Sequence, residues 1–207
     1  MPSSSQTTRS RILDAAYKLF RRQGYSRVSI DEIALAARLT KKTLYYHFES
    51  KDALLAAVLE TQSELALAAF RTFSDTLRGS PIAIADALFE GLKVWSDTPR
   101  WAGSGFTRLV IELADLPGHP ARQIARRHKA ELERLFSELL VKAGAASPKE
   151  TAREIWLLSE GAISLILVHG DRGYAAAAAR AARKLIAASL KHGNAARGSK
   201  TVNATAV

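Results

Sequence analysis

The stretch Thr40-Lys41-Lys42-Thr43-Leu44-Tyr45-Tyr46-His47-Phe48 puts two hydroxyls, two lysines and two adjacent tyrosines on one short helix. On an isolated surface helix, such a density of donors stabilises nothing. Against DNA it has a use: ammoniums meet phosphates, hydroxyls reach phosphates or base edges, and tyrosine offers an apolar body with a polar tip. The hydroxyls and lysines cluster at the N-terminal end, which a recognition helix aims at the bases. Free backbone amides and the positive dipole end add to phosphate attraction there.

Working outward, Thr40 is placed to cap this helix, and Arg38-Leu39 before it leaves a break of only two residues. Ser29-Ile30-Asp31-Glu32 is a capping box, with Ile33, Ala34 and Ala37 as a short buried face. Upstream, Ile12, Leu13, Ala16, Leu19 and Phe20 form one apolar stripe, predicting a helix over 8–23 that Gly24 stops. Downstream, Ser50 caps a long helix over 51–77, with Leu54, Leu55, Val58 and Leu65 on its inner side. Three short helices within 8–48 have the layout of a helix-turn-helix unit.

Five further helices are predicted at about 81–96, 101–114, 120–143, 148–169 and 172–192. Pro81, Pro120 and Pro148 stand in first turns, and Gly79, Gly144 and Gly170 at stops. The expected fold is therefore all-α with about nine helices: an N-terminal helix-turn-helix domain and a larger C-terminal helical domain for ligand binding and dimerisation. The expected boundaries are 1–51, 52–192 and a disordered small, polar tail over 193–207.

The chain has 207 residues and a net charge of +10. Residues 1–51 hold 10 Lys/Arg and 4 acids, a net of +6, so the other 156 residues carry only +4. The surplus alone fits nucleic acid, an anionic membrane or mere solubility; its location favours DNA. There is no cysteine, which excludes disulfides, thiolate zinc sites and a cysteine nucleophile. His119 and His128 are nine apart and lack metal spacing, and no carboxylate pair is placed for acid/base work. Expected, then, are no catalytic site, no metal and no cofactor. The start has no apolar segment of a secretory leader, and no apolar run spans a bilayer, so a cytoplasmic protein with no membrane partner is expected.

The residues Arg11 to Ala16, Leu19-Phe20, Gly24-Tyr25, Ser29 to Ala34, Thr40 to Phe48 and Ser50-Lys51 together resemble the DNA-binding domain of the TetR family of bacterial transcription regulators. The resemblance covers about residues 9–60. Beyond that, the chain is similar only in length and helical character. The resemblance implies a bacterial, nucleoid-associated homodimer that binds a palindromic double-stranded operator. It implies a repressor that leaves DNA when a small-molecule effector enters the C-terminal domain. A constitutive DNA-binding regulator or architectural protein without effector is the alternative. By position, Thr40, Lys41, Lys42 and Thr43 match the start of the recognition helix. Tyr45, Tyr46 and His47 match its Tyr-Tyr-His segment, and Ser29 and Lys51 match phosphate contacts. Tyr45 as a core aromatic and His47 as a helix cap are the structural alternatives. Arg38 stands where the family often has glycine, and Lys42 where it often has a small residue.

In the C-terminal part, the helix over 148–169 is apolar nearly all round, with Ile155, Trp156, Leu157, Leu158, Ile163 and Leu165 among its residues. Such a helix must be buried on both sides, one of them against a second subunit. Ala175, Ala178, Ala179 and Ala182 make a smooth face on the last helix. Both helices are expected to pair with their symmetry mates in a four-helix bundle. Candidate effector contacts are Trp95, Trp101, Phe106, Arg108, Glu112, Trp156, Ser159 and His169. The plainer alternative has the aromatics in the core and Glu112 paired with Arg108 on the surface.

Overall fold

The computed structural model describes residues 4–204, with side chains from 7 to 193. Nine helices and no strand occur among the described residues. They are α1 (Ser4–Gln23), α2 (Ile30–Ala36), α3 (Lys41–His47), α4 (Lys51–Thr76), α5 (Pro81–Ser96), α6 (Gly105–Glu112), α7 (Pro120–Lys142), α8 (Pro148–His169) and α9 (Gly173–Ala204). The starts are chemically marked, at Ser29, Thr40 and Ser50 as expected and also at Ser80 and Ser104. The hydroxyls of Ser29, Thr40, Ser80 and Ser104 accept from amides three residues on, satisfying donors that have no partner within the helix. Ser50 does the same for Ala53 at 3.0 Å.

The chain divides into two compact units, Met1–Ala66 with Ser104–His128, and Leu67–Gly103 with Lys129–Val207. This differs from a single break at 51–52. A returning segment joins the first unit through side chains that contiguous sequence does not reveal: Leu109, Leu113, Ala121 and Ile124 lie in the same core as Ile12, Phe20, Ile33, Leu44 and Leu54. The second core gathers Phe70, Ile84, Phe89, Phe136, Leu140, Ile155, Ala182 and Ile186. Helix α4 has the length and hydropathy of a membrane-crossing segment. Its Leu54, Leu55, Val58 and Leu59 are nevertheless buried in the first core.

Three expectations need correction. First, α6 starts at Gly105, four residues late, because Gly103 turns with φ +74° and Ser104 is the cap. Second, the last helix does not stop at His192 but continues to Ala204, so 193–204 is helical rather than disordered. Residues 205–207 of that tail lie outside the described residues. Gly193, inside this helix, is a point of close packing, since a Cβ there would overlap the carbonyl of Gly144. Third, the alanine face of α9 turns inward. Ala175, Ala178 and Ala182 are buried against α5 and α8 of the same unit. The small side chains let helices of one protomer approach, so this face cannot meet a symmetry mate.

Candidate nucleic-acid interface

The first unit holds α3 by one deep anchor. Leu44 is the buried residue of this seven-residue helix. Phe48, its C-cap, is buried too and lies under the Arg9 guanidinium, 5.1 Å from the ring centroid. Every other side chain of α3 is left partly or wholly exposed. Tyr46 is 83% exposed and Tyr45 46%, so Tyr45 is no core aromatic. Phe48 is the C-cap, so His47 does not cap the helix; it sits edge-on to Tyr46 at 5.2 Å.

The hydroxyls are less free than their positions suggest. Thr40 Oγ1 accepts from the Thr43 amide at 3.1 Å and contacts Thr43 Oγ1 at 2.8 Å. Ser29 is the cap of α2: its Oγ accepts from the Glu32 amide at 3.2 Å and donates to the Glu32 carboxylate at 2.8 Å. The Glu32 carboxyl, held by the Ser29 backbone amide and hydroxyl, is pulled below the ordinary carboxylate range. Of the two lysines, Lys41 pairs with Asp31 at 3.0 Å, which raises its ammonium above the usual value. Lys42 is exposed and has no ion pair among the described residues. Both partners of the Lys41 pair are exposed, so a phosphate can compete for that lysine.

The turn before α3 is left-handed at Arg38, with φ +54°. Arginine there costs about 1 kcal/mol relative to glycine. Arg11 on α1 braces the same turn, donating to the Ala37 carbonyl at 2.6 Å and to that of Arg38 at 3.3 Å. It thereby satisfies carbonyls that the end of α2 leaves open.

Lys51 opens α4 partly buried, its Nζ 4.2 Å above the Tyr25 ring. Burial lowers its ammonium below the usual lysine value. Tyr25 donates its hydroxyl to Asp52. Burial, the bond to Asp52 and that carboxylate's charge raise the phenol well above its ordinary value. His119 Nε2 faces Asp52 Oδ2 at 3.5 Å, while its Nδ1 accepts from the Ala121 amide at 3.1 Å. In sequence, Tyr25 stands out only as part of a motif, and His119 only as a histidine without metal spacing. Proximity after folding is what gives both a place here.

The effector candidates fall into two groups, in different units. Glu112 accepts from the amides of Tyr25 at 2.9 Å and Ser26 at 2.6 Å, and Arg108 donates to the Arg21 carbonyl at 3.1 Å. Burial works to raise the Glu112 carboxyl, but those two amides and the Arg108 charge outweigh it and hold it low. Both side chains thus tie α6 to the end of α1. Phe106 stacks on buried His128 at 4.0 Å. In the second unit, Trp95 and Trp101 meet edge to face at 5.4 Å, and Trp156 lies 6.5 Å from Phe70. The indole N–H groups of Trp101 and Trp156, like His119 Nε2 in the first unit, are buried with no hydrogen-bond partner among the described residues. Ser159 is buried, and His169 is exposed and stacks on Tyr174.

Comparison with known proteins agrees with this geometry. The family model for bacterial regulatory proteins of the tetR family matches residues 12–58. The HTH-type transcriptional regulator UidR of Escherichia coli is 41% identical over 71 residues, covering 34% of this chain and 36% of its own. The A-factor receptor protein of Streptomyces griseus is 47% identical over 119 residues, covering 56% of this chain and 39% of its own. The chain thus spans well under half the length of these two curated relatives. Among solved structures, a TetR-family transcriptional regulator from Streptomyces coelicolor superposes with a TM-score of 0.72 at 25% identity, over 91% of this chain and 96% of its own. Residues 12–58 thus match the helix-turn-helix of the tetR family of bacterial regulatory proteins, and the chain as a whole shares the fold of a solved TetR-family regulator.

Proposed function

We propose that the protein is a homodimeric repressor that grips a palindromic operator with two copies of α3 and lets go when a small molecule binds its C-terminal domain. The observation that carries this is α3 itself. One buried leucine anchors it, and Lys41, Lys42, Thr43, Tyr45, Tyr46 and His47 are left partly or wholly exposed. Lys42 and Lys51 serve as phosphate contacts, with Lys41 joining them once it leaves Asp31. Thr43, Tyr45, Tyr46 and His47 face the bases and the adjoining backbone. Thr40 and Ser29 contribute chiefly as caps that aim the amides of α3 and α2 at phosphate.

Dimerisation through α8 and α9 is supported by what α8 leaves uncovered. Leu157, Leu165, Leu167 and Val168 are all exposed in the protomer. A helix apolar on both sides needs a second surface to bury the outer one. On α9 the outward residues are Ala176, Ala177, Ala187 and Ala188, not the buried alanines. Two such protomers present their recognition helices to successive major grooves about 34 Å apart.

Effector release is supported by the two unpartnered indole N–H groups of Trp101 and Trp156, which suit an apolar molecule carrying hydrogen-bond acceptors. The word "receptor" in the name of the Streptomyces griseus relative points the same way. The effector acts by binding the non-operator dimer more tightly, shifting the population. The experiment is a salt titration of binding to a palindrome selected from random duplexes. Each phosphate contact adds about 0.9 to the slope of log affinity against log salt. A flat response overturns the DNA-binding role; a steep response that no compound in a thermal-shift screen abolishes overturns effector release.

A further inference from the structure

Lys51 is surrounded by carboxylates and pairs with none of them among the described residues. Asp52, Glu112 and Glu32 all act on its ammonium through space. Each is already committed. Glu32 accepts from the amide and hydroxyl of Ser29. Glu112 accepts from the amides of Tyr25 and Ser26. Asp52 accepts from the Tyr25 hydroxyl and is faced on its other oxygen by His119. The ammonium therefore rests on an aromatic face, 4.2 Å from the ring centroid, instead of on an anion. A cation held this way can approach a phosphate without first breaking an ion pair.

We infer that Tyr25, Asp52 and His119 are positioning residues for DNA binding, holding Lys51 unpaired and aimed at phosphate. This rests on the role of Lys51 as a phosphate contact. His119 is the fixed end of the chain. It is buried, and its Nδ1 caps α7 by accepting from the Ala121 amide, which places the ring proton on Nε2, toward Asp52. The ring also stands edge-on to Tyr25 at 6.1 Å. Asp52 thus accepts from the Tyr25 hydroxyl on one oxygen and has His119 Nε2 3.5 Å from the other, close but not hydrogen-bonded, and Tyr25, bonded to it through the hydroxyl, keeps its ring under Lys51. With His119 or the Tyr25 hydroxyl gone, Asp52 is released to draw the adjacent ammonium away from DNA. His119 reaches this site from the returning segment 104–128, so the protein ties a phosphate contact at the start of α4 to the cap of α7.

The test is a double-mutant cycle on binding to a random-sequence duplex, since a phosphate contact is sequence-independent. His119→Asn keeps an oxygen to cap α7 but removes the imidazole facing Asp52. Tyr25→Phe keeps the ring under Lys51 but drops the hydroxyl. Lys51→Ala lowers the salt slope by about 0.9. His119→Asn and Tyr25→Phe each weaken binding at least about threefold in the parent protein and leave it unchanged in the Lys51→Ala background. Equal losses in both backgrounds mean a merely structural effect and overturn the inference. A salt slope unaltered by Lys51→Ala overturns the phosphate role of Lys51 itself and the inference with it. If His119→Asn fails to fold, Tyr25→Phe carries the cycle by itself: a loss confined to the parent background supports the inference, and equal losses overturn it.

Discussion

Helices α3 and α8 both expose large apolar or aromatic side chains, for different physical reasons. In α3, Tyr45 and Tyr46 stand one turn beyond the lysines and threonines of its capped, amide-rich N-terminus. Their hydroxyls and the surrounding donors suit a wet, charged partner. In α8, Leu157, Leu167 and Val168 carry no polar atom beyond the backbone, and the helix's own hydrogen bonds use that up. Only a dry, apolar partner compensates them. Exposure alone does not tell a nucleic-acid surface from a protein surface; the donors around it do.

The largest effect that separates the two faces of the α8–α9 layer is expected from Ala182→Glu. This position is fully buried, so a carboxylate there is desolvated and unpaired, and the loss exceeds the roughly 1 kcal/mol of an average substitution. A thermal melt should show the second unit failing to fold; a melting temperature near that of the parent would place Ala182 on the outside. Next comes Leu157→Glu with Val168→Glu. These outward positions should leave the helices intact while sedimentation shows a monomer, and a surviving dimer would remove α8 from the interface.

On the α3 side, Thr43→Ala should change base preference by about 1–3 kcal/mol in a competition assay between operators. Thr40→Ala should instead cost about 1 kcal/mol of stability as a lost cap, with preference unchanged. Reversal of those two outcomes would exchange the assigned roles. A smaller effect is expected from Arg38→Gly: the left-handed φ no longer costs about 1 kcal/mol, and denaturant unfolding should show a gain below that figure because glycine also loosens the unfolded chain. The smallest is a pH effect at Tyr25. Its phenol is raised in the folded state, so its stabilisation is complete below the ordinary value near 10 and is lost as pH rises beyond it. Tyr25→Phe should therefore flatten the alkaline fall of melting temperature; an unchanged alkaline limb would mean that the hydroxyl is not held by Asp52.

Much of the fold is legible in the sequence because its signals are local. Ser29 with Glu32, Thr40 before Lys41, Ser50 before Lys51 and the prolines at 81, 120 and 148 mark helix starts by interactions spanning three or four residues. The exposed residues of α3 are legible for the same reason. The role of Glu112 is not, because its partners Tyr25 and Ser26 lie more than 80 residues away. The close approach of Gly193 to the Gly144 carbonyl is not legible either, because its partner lies far away along the chain.

The sequence by itself determined nine helices among the described residues, a helix-turn-helix over the first fifty or so of them, and the cations concentrated on it. Capping, period and charge are properties of neighbours along the chain. Only the tertiary structure decided which side of α9 is inside, that residues 104–128 return to the first unit, and that Lys51 rests on Tyr25 beside an Asp52 that accepts from the Tyr25 hydroxyl. Those are choices among partners distant in sequence, and packing and desolvation make them only once the helices have come together.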